Sequence, residues 1–418
     1  MPDQMTPVLS DSKEKIQQKE SDIKMHAERE QSKYPNHEQQ ILKGNFAAAE
    51  GSKLSRAGFI PAYPITPQTT IIEAIAAKIH RGEMDATFIN MDSEHAVFAA
   101  AMGGAMAGER VFTATSGQGL FYAHEVLHAI AHFRLPIVMC NVGRPSIPWN
   151  IWSDQSDSIA QRDTGWVQYY GESGQEVLDT IIQSYLLAEE LDVPVMVVLD
   201  AFYQSHTSEN VWVPSQDLVD KFLPPRPEKG NGIDLAHPKS LGGMVSPEFY
   251  EDFNYSYWKD INKVEDLTNE IGQKFKSTFD REYGAIEAIN IHPGTKKILV
   301  TLATITTTAR GVIKHHPDVG ILKIRLFKPF PKKSILNHFE AKQIDPLKCK
   351  LLTVDRNFLG DNEGALMQEM RRALYGHKYQ IHGVYAGLGG KDMPPDTIEK
   401  IIVRELKDTD EIIWIDNE

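Results

Sequence analysis

Short apolar runs alternate with amphipathic stretches over most of the chain. Before residue 200, apolar runs lie at residues 86–90, 111–114, 136–140 and 193–199. Between them, residues 68–81 place isoleucines at the spacing of one helix face. Buried strands separated by helices are typical of βαβ units around a parallel sheet. This pattern predicts a first α/β domain.

The same alternation returns after a break. Residues 201–247 are rich in proline and glycine, which interrupt regular elements, and residues 248–289 have a helical pattern. Further apolar runs lie at 297–302, 320–325, 350–354 and 381–386, and they predict a second, smaller α/β domain. The predicted boundaries are a charged N-terminal extension at 1–42, the first domain at 43–212, a linker or wrapping arm with a helix at 213–292, and the second domain at 293–418.

The N-terminal extension is dense in charge and poor in large apolar residues. Between Asp11 and Lys33 it carries six basic and six acidic residues. Segments of this composition cannot bury enough apolar surface to fold alone. We expect a solvated tail, with an arm that wraps a partner subunit as the less favoured alternative.

Charge and cysteine content argue against several classes of function. The chain has 44 Lys and Arg against 57 Asp and Glu, a net charge of −13, which disfavours nucleic acid and anionic membranes as partners. The two cysteines, Cys140 and Cys349, form no CxxC pair, so this chain alone cannot ligate an iron–sulfur cluster or a thiolate zinc site. The sequence lacks a secretory signal, and the small apolar stretch at 96–108 is too short to span a bilayer. We expect a soluble, cytoplasmic protein.

One local match points to a metal enzyme. His124, Glu125 and His128 form the HExxH pattern, in which two imidazoles one helical turn apart bind zinc and the glutamate acts as a base. His132 continues the spacing, but Arg134 stands where the extended zinc-protease pattern requires its last histidine. Because so short a pattern often matches by chance, we favour histidines on a helix that faces the core or a subunit.

Polar residues follow several of the predicted strands. Thr66 lies between two prolines, Glu94 follows an Asp-Ser pair, and Arg144 comes directly before a proline. Ser116 begins the sequence Ser-Gly-Gln-Gly, between a strand and a helix, where backbone N–H groups can face an anion or a cofactor. The carboxyl ends of parallel strands share one edge of a sheet, where α/β folds hold ligands. The sequence therefore predicts a hydroxyl, a carboxylate and a guanidinium at one site.

Four segments together resemble a known family. They are YPITP at 63–67, MDSEHA at 91–96, TATSGQG at 113–119 and RPSIPWNIWSDQSD at 144–157. In this order they resemble the α subunit of the 2-oxoacid:ferredoxin oxidoreductases, most closely of those that act on pyruvate. The likeness continues into the second predicted domain with ILKIRLFKPFP, DRN, EGAL and GLGGKD. The chain departs from the family pattern in its N-terminal extension and at Lys391, where arginine is frequent.

The resemblance implies an α/β fold of two thiamine-diphosphate-enzyme domains. A pyrimidine-binding domain would be followed by a domain like the C-terminal domain of transketolase. Glu94 would meet the pyrimidine ring of thiamine diphosphate, while Thr66 and Arg144 would contact the carbonyl and the carboxylate of the substrate. These three would be the catalytic residues. The residues near the cofactor would also include Pro64, Ser116 and Asn150.

The resemblance further implies that this chain supplies half of an active site. In the family a β subunit completes the thiamine diphosphate site and binds its Mg²⁺ through a Gly-Asp-Gly sequence, which this chain lacks. Partner subunits of β, γ and δ type would carry [4Fe–4S] clusters that reduce ferredoxin. Coenzyme A would accept the acetyl group formed from pyruvate, and the reaction would be reversible. No metal ligand is expected on this chain.

Three alternatives stay open. The same scaffold serves enzymes of 2-oxoglutarate, branched oxoacids or oxalate, and one pocket side chain changes specificity by about 1–3 kcal/mol. The HExxH segment is compatible with a zinc hydrolase. The chain is also compatible with an assembly subunit that has no catalytic role, in which case Glu94 would be dispensable.

Overall fold

The computed structural model describes residues 34, 36–226, 233–234, 236–238, 242–407 and 411–415. These residues form two α/β units, each built on its own sheet, and a separate two-stranded ribbon. The charged segment between Asp11 and Lys33, for which a tail or a wrapping arm is expected, lies outside the described residues. Among the helices that are described, none has the length and apolar character needed to cross a bilayer.

The first unit contains a parallel sheet covered by helices. Its strands, with the ribbon, are β1 (His37–Lys43), β2 (Phe59–Ala62), β3 (Thr87–Asn90), β4 (Val111–Thr115), β5 (Ile137–Gly143), β6 (Val167–Tyr170), β7 (Val195–Asp200) and β8 (Ser208–Pro214). Its helices are α1 (Gly44–Leu54), α2 (Thr69–His80), α3 (Glu94–Met106), α4 (Gly117–Tyr122), α5 (His124–His132), α6 (Ser156–Ile159), α7 (Gly174–Leu191) and α8 (Gln216–Phe222). The parallel strands lie in the order β6-β7-β5-β4-β2-β3. Strands β4, β5 and β7 are buried along their whole length, as their apolar sequences predict.

The second unit is smaller and follows the same plan. Its strands are β9 (Ile286–Ile289), β10 (Lys297–Thr301), β11 (Val319–Ile324), β12 (Leu326–Lys328), β13 (Lys350–Asp355), β14 (Gln380–Tyr385) and β15 (Ile412–Trp414). Two helices between the units, α9 (Pro247–Ile261) and α10 (Val264–Phe279), pack against helices α5, α7 and α8 of the first unit. The helices of the second unit are α11 (Thr304–Val312), α12 (Lys332–Ala341), α13 (Ala365–Ala373) and α14 (Pro395–Val403), with short 3₁₀ turns at Ile313–His315 and Leu388–Gly390. The sheet order is β15-β14-β13-β10-β11-β9, and only β9 runs antiparallel to its neighbour. The predicted arrangement of two successive α/β domains is confirmed.

The structure departs from the sequence-based expectation between the two domains. The helix predicted over 248–289 is wrong at its C-terminal end, because Asp280 adopts a left-handed conformation (φ 58°) that ends α10, and the chain then forms β9. Strand β8 crosses the predicted boundary at residue 212, and its partner β1 crosses the one at residue 42. Such short strands carry too little periodicity to be separated from loops by sequence.

The two units are joined by a shared strand and by buried ion pairs. Strand β12, which follows the second sheet's β11, pairs antiparallel with β6 and so extends the first sheet. Lys323 on β11 is buried and contacts Glu176 at 2.7 Å and Glu172 at 2.9 Å in the first unit. Removing one partner of a buried ion pair is strongly destabilising. The second unit is therefore tied to the first by backbone and ionic contacts.

Candidate active site

The loops that follow four neighbouring strands meet at one edge of the first sheet. Strands β3, β2, β4 and β5 are adjacent and parallel, so their carboxyl ends lie side by side. The residues that follow them include Thr66 after β2, Glu94 after β3, Ser116 after β4 and Arg144 after β5. The juxtaposition that the sequence predicts for these strand ends is therefore present.

Arg144 is the residue that connects these loops. Its side chain donates from Nη1 to the carbonyl of Thr66 at 2.7 Å, from Nη2 to Oε1 of Gln118 at 2.7 Å and from Nε to the carbonyl of Asn150 at 3.2 Å. A guanidinium has five N–H donors, so these three bonds leave one N–H on each Nη atom. Burial lowers the pKa of Arg144, while the nearby carboxylates of Asp157 and Glu94 raise it. The remaining pair of donors suits a planar anion such as a carboxylate.

Two buried side chains hold the loop that carries Thr66 by hydrogen bonds to its backbone. Asn45 donates from Nδ2 to the carbonyl of Pro67 at 2.8 Å, and Gln68 donates from Nε2 to the carbonyl of Tyr63 at 2.8 Å. Asn45 and Gln68 are buried, whereas Thr66 itself is exposed. The loop therefore presents the Thr66 hydroxyl outward while its carbonyl accepts from Arg144. Asn45 escaped the sequence reasoning because it lies on α1, far from the motif in the chain.

Glu94 is the first residue of α3. Ser93 caps this helix, since its hydroxyl accepts a hydrogen bond from the Ala96 N–H at 3.2 Å. The Glu94 side chain is half-buried, and in the described part of the chain no group donates a hydrogen bond to its carboxylate. Gly119 packs against it so closely that a Cβ at position 119 would lie 2.5 Å from Glu94 Oε1. The structure thus places an unpaired carboxylate in a cradle that only glycine leaves open.

Asp157 was not selected by the sequence reasoning, although it lies in the segment 144–157. Its fully buried carboxylate accepts from the N–H groups of Gly117 at 2.8 Å, Arg144 at 3.0 Å and Ser158 at 2.6 Å, and from Asn141 Nδ2 at 3.1 Å. Burial raises the pKa of Asp157 to about 6, against the opposing effect of these four donors. Asp157 therefore joins the loop after β4 to the loop after β5. An aspartate among serines in a polar loop gives no signal in the sequence that it is buried.

The three other predicted residues are those expected near the cofactor. The Ser116 hydroxyl is buried and donates to the carbonyl of Val142 at 2.6 Å. Asn150 donates from Nδ2 to the carbonyl of Gly389 at 2.9 Å, in the second domain, and accepts from the Trp152 N–H at 2.8 Å. Pro64 lies exposed in the Thr66 loop. The assignment of Pro64, Ser116 and Asn150 to cofactor contact stays a prediction.

The HExxH segment forms α5, away from the hydrogen bonds around Arg144. His124 Nδ1 contacts Gln161 Oε1 at 2.5 Å, and Glu125 faces His95 at 3.3 Å. His132 Nδ1 contacts the carbonyl of His128 at 2.9 Å. Over the described ranges, no group of three or more His, Cys, Asp or Glu side chains is arranged to hold a metal ion. The zinc hypothesis therefore has no ligand set in the residues that the structure describes.

Comparisons with known proteins identify the family of this chain. Residues 50–273 match the family model "Pyruvate flavodoxin/ferredoxin oxidoreductase, thiamine diP-bdg", and residues 295–398 match "Pyruvate:ferredoxin oxidoreductase core domain II". Pyruvate synthase subunit PorA of Methanothermobacter thermautotrophicus is 40% identical over 383 residues, which cover 90% of this chain and 97% of that protein. Ketoisovalerate oxidoreductase subunit VorA of Pyrococcus horikoshii is 38% identical over 385 residues, with 90% and 96% covered.

A solved structure supports the same fold. The 2-oxoglutarate:ferredoxin oxidoreductase of Magnetococcus marinus, solved with 2-oxoglutarate, coenzyme A and succinyl-CoA bound, superposes with a TM-score of 0.67 at 20% sequence identity. The superposition covers 87% of this chain and 64% of that one, so the chain spans about two thirds of its length. The predicted fold class of thiamine-diphosphate-enzyme α/β domains is therefore confirmed. The chain belongs to the pyruvate flavodoxin/ferredoxin oxidoreductase family and is an α subunit of a 2-oxoacid:ferredoxin oxidoreductase.

Proposed function

We propose that this chain is the α subunit of a pyruvate synthase. The complex would cleave pyruvate to CO₂, transfer the acetyl group to coenzyme A and pass two electrons to ferredoxin, in a reversible reaction. The observation that carries the proposal is the Arg144 guanidinium, held by Thr66, Gln118 and Asn150 with one N–H left on each Nη, close to the unpaired carboxylate of Glu94. The guanidinium of Arg144 suits the carboxylate of a small 2-oxoacid, and the carboxylate of Glu94 suits a cofactor that requires such a group.

Arg144 and Thr66 would bind the substrate. The two remaining N–H groups of Arg144 would donate to the substrate carboxylate as a planar pair. The Thr66 hydroxyl, exposed on the loop after β2, would donate to the carbonyl oxygen. Because Arg144 also holds the Thr66 carbonyl at 2.7 Å, the two groups keep a fixed separation. Such fixed positioning contributes directly to the rate of the chemical step.

Glu94 would hold the pyrimidine ring of thiamine diphosphate. Its half-buried, unpaired carboxylate fits this role, and the absence of a side chain at Gly119 leaves room for the Glu94 side chain in this position. When bound, thiamine diphosphate supplies the carbon nucleophile and electron sink for cleavage next to a carbonyl. From its place as the first residue of α3, Glu94 would hold a proton at a ring nitrogen. Pro64, Ser116 and Asn150 would shape the surrounding wall.

The remaining parts of the reaction would belong to partner subunits. A β subunit would bind the diphosphate and Mg²⁺, and [4Fe–4S] clusters on partners of β, γ and δ type would carry electrons to ferredoxin. Both cysteines of this chain, Cys140 and Cys349, are buried, and burial raises the pKa of each thiol, to about 12 for Cys349. Thiols in that state are poor cluster ligands. Coenzyme A would enter as a co-substrate at the assembled site, and we place the complex in the cytoplasm.

A branched 2-oxoacid is the second candidate substrate. The ketoisovalerate relative is 38% identical to this chain and the pyruvate relative 40%, so the whole-chain likeness separates the two substrates only weakly. Specificity depends on the few side chains that meet the substrate's alkyl group. Trp149 and Ile147, on the loop after Arg144, are exposed apolar residues in this chain, 75% and 74% accessible. We favour pyruvate because the segment at 144–157 resembles most closely the members of the family that act on pyruvate.

The test is a pair of matched glutamate variants in the complex purified under anaerobic conditions. Glu94→Gln keeps the size of the side chain and removes its charge, so we expect oxoacid-dependent reduction of ferredoxin to fall at least about 100-fold. Glu125→Gln, at an exposed position of α5, is the control and should retain full activity. The rates with pyruvate, ketoisovalerate and 2-oxoglutarate, compared as kcat/KM, identify the substrate.

The alternatives predict different results for the same variants. An assembly subunit without a catalytic role predicts full activity for Glu94→Gln in an intact complex. A zinc hydrolase predicts that Glu125→Gln, not Glu94→Gln, removes activity, with one zinc bound per chain. Either result would overturn the proposal, provided that mass spectrometry finds the same partner subunits with wild type and variants.

A further inference from the structure

A loop of the second domain contacts the loop that carries Arg144. We call residues 387–392, with the sequence Gly-Leu-Gly-Gly-Lys-Asp, the glycine loop. Its residue Gly389 is bonded on both backbone groups by side chains of the first domain. Asn150 Nδ2 donates to the Gly389 carbonyl at 2.9 Å, and the Gly389 N–H donates to Asp154 Oδ2 at 2.9 Å. The glycine loop is therefore fixed to residues 150–154 by a reciprocal pair of hydrogen bonds.

Asn150 also reaches Arg144. While its side chain bonds Gly389, its backbone carbonyl accepts from Arg144 Nε at 3.2 Å. Its Oδ1 accepts from the Trp152 N–H at 2.8 Å, which closes a tight turn. One residue thus links the substrate-binding guanidinium to the second domain, although no residue of that domain forms a described hydrogen bond to Arg144, Thr66 or Glu94.

Three glycines allow this close approach. Gly387, Gly389 and Gly390 have φ values of 71°, 58° and 82°, which residues other than glycine rarely adopt. A Cβ at Gly389 would lie 2.8 Å from Asn150 Nδ2, and one at Gly390 would lie 2.2 Å from the Cβ of Trp152. A side chain at Gly389 or Gly390 would push the glycine loop away from residues 150–153, whereas one at Gly387 would collide with Met393.

The glycine loop is anchored on its other side as well. Tyr203 donates its hydroxyl to the Gly390 carbonyl at 2.7 Å and to Asp392 Oδ1 at 2.7 Å. Asp154 is 2% exposed, and its other oxygen accepts from the Ser156 N–H at 2.8 Å. The contact therefore consists of several mutually bonded groups, of which Asp154 is buried, and does not depend on a single side chain.

We propose that the glycine loop is a positioning element for Arg144, acting through Asn150. The proposal rests on the proposed function, and it gives the second domain a role in substrate binding that its own residues do not perform directly. The side-chain amide of Asn150, bonded to the Gly389 carbonyl, keeps residue 150 in place. The backbone carbonyl of Asn150 then orients the guanidinium of Arg144 by accepting a hydrogen bond from Nε. Without that anchor the turn at 150–152 is free to move, and the two open N–H groups of Arg144 lose their fixed direction toward the substrate carboxylate. Asn150 is in this sense a positioning residue.

The sharpest test is Asn150→Asp in the complete enzyme complex. Aspartate retains an acceptor for the Trp152 N–H but cannot donate to the Gly389 carbonyl, so it removes this interdomain bond and also adds a negative charge. Gly389→Ala adds no charge, so an effect that both variants share comes from the lost contact. We expect KM for the oxoacid to rise about tenfold, with kcat within about twofold of wild type and KM for coenzyme A unchanged. Gly389→Ala should change KM in the same direction, because its Cβ would collide with Asn150 Nδ2.

Arg310→Gln is the matched control. Arg310 joins the two domains through Glu172 at 2.7 Å, without a bond to residues 144–154. It should lower the thermal midpoint of the complex and leave KM for the oxoacid unchanged. If Asn150→Asp and Gly389→Ala leave KM unchanged in an active complex, the positioning proposal is wrong while the proposed function stands. If Arg310→Gln raises KM equally, the effect is general loosening of the domains, which also overturns it. The two proposals therefore fail in different ways. The positioning proposal fails if KM is unchanged in an active complex, and the proposed function fails if Glu94→Gln does not reduce activity.

Discussion

Each domain has an arginine directly after a central strand, and the two arginines differ in their partners. Arg144 follows β5 in the first sheet, and Arg356 follows β13 in the second. Arg144 donates to two backbone carbonyls and one amide oxygen, all of them neutral. Arg356 donates from Nη1 to the carboxylate of Asp200 at 2.9 Å and to the Ser153 hydroxyl at 3.3 Å. The same position in two sheets therefore carries an available charge in one case and a neutralised one in the other.

The difference separates a binding role from a structural one. Neutral acceptors orient a guanidinium but leave its charge for an anionic ligand, whereas a buried carboxylate compensates that charge. Asp200 ends β7 of the first sheet, is fully buried, and also accepts from the Thr304 N–H at 3.1 Å. Arg356 thus holds the two domains together across β7 and α11. This contrast supports the proposal that the first sheet presents the reactive edge and the second supports it.

The largest effect is expected from Arg356→Met, which tests the structural side of the comparison. Loss of the guanidinium leaves the Asp200 carboxylate buried without a cation. We expect the free energy of unfolding to fall by about 3–5 kcal/mol. Urea denaturation of the purified complex, compared between variant and wild type, measures this change. The folded variant complex should keep KM for the oxoacid near the wild-type value. A tenfold rise in KM at unchanged stability would show that Arg356, not only Arg144, has a binding role.

Arg144→Lys tests the binding side and should affect turnover more than stability. Lysine keeps the charge but cannot form a planar pair of hydrogen bonds with a carboxylate. Loss of one hydrogen bond to a charged group costs about 1.5–3 kcal/mol, so we expect kcat/KM for the oxoacid to fall about 100-fold. Steady-state kinetics and thermal denaturation of the same preparation check the two halves of this expectation. A stability loss as large as that of Arg356→Met would contradict the contrast between the sites.

Two buried aspartates sharpen the comparison by their response to pH. Burial raises the pKa of both Asp157 and Asp355 to about 6. Since the unfolded value is about 4, the folded state binds more protons between about pH 4 and 6, and the free energy of unfolding falls as pH rises through this window. His37, whose pKa is lowered to about 4 by burial first and by Arg281 second, acts in the opposite direction. Variants must therefore be compared with wild type over the same range.

Asp157→Asn and Asp355→Asn should each flatten that pH dependence, but only one should change activity. Asp157 accepts from the N–H of Arg144, while Asp355 accepts from the Leu366 N–H at 2.8 Å and from Asn357 Nδ2 at 3.0 Å, away from the site. We expect about a tenfold higher KM for the oxoacid with Asp157→Asn and less than a twofold change with Asp355→Asn. Denaturation curves at several pH values and kinetics at pH 7 measure both effects. Equal KM values for the two variants would show that Asp157 does not position Arg144.

Much of the architecture is predictable from the sequence. Near-continuous apolar runs become buried strands β4, β5, β7, β10 and β13, because a strand covered on both faces has no place for polar residues. Strand β9 and the end of α10 are missed, because four residues carry no measurable period and Asp280 ends the helix by its backbone conformation. Strand β12 gives no signal that it leaves its own sheet, since pairing with β6 depends on how the two domains pack.

The sequence by itself determines which chemical groups are present and which of them follow strands. Thr66, Glu94 and Arg144 are recognisable because parallel strands bring their carboxyl ends to one edge whatever the loops between them do. Only the tertiary structure decides which of those groups remain available, because hydrogen bonding and burial depend on residues far away in the chain. It pairs Arg356 with Asp200, leaves Glu94 unpaired among the described residues, and bonds Asn150 to Gly389. Local pattern specifies the strand ends, and long-range packing selects the ones that can bind a substrate.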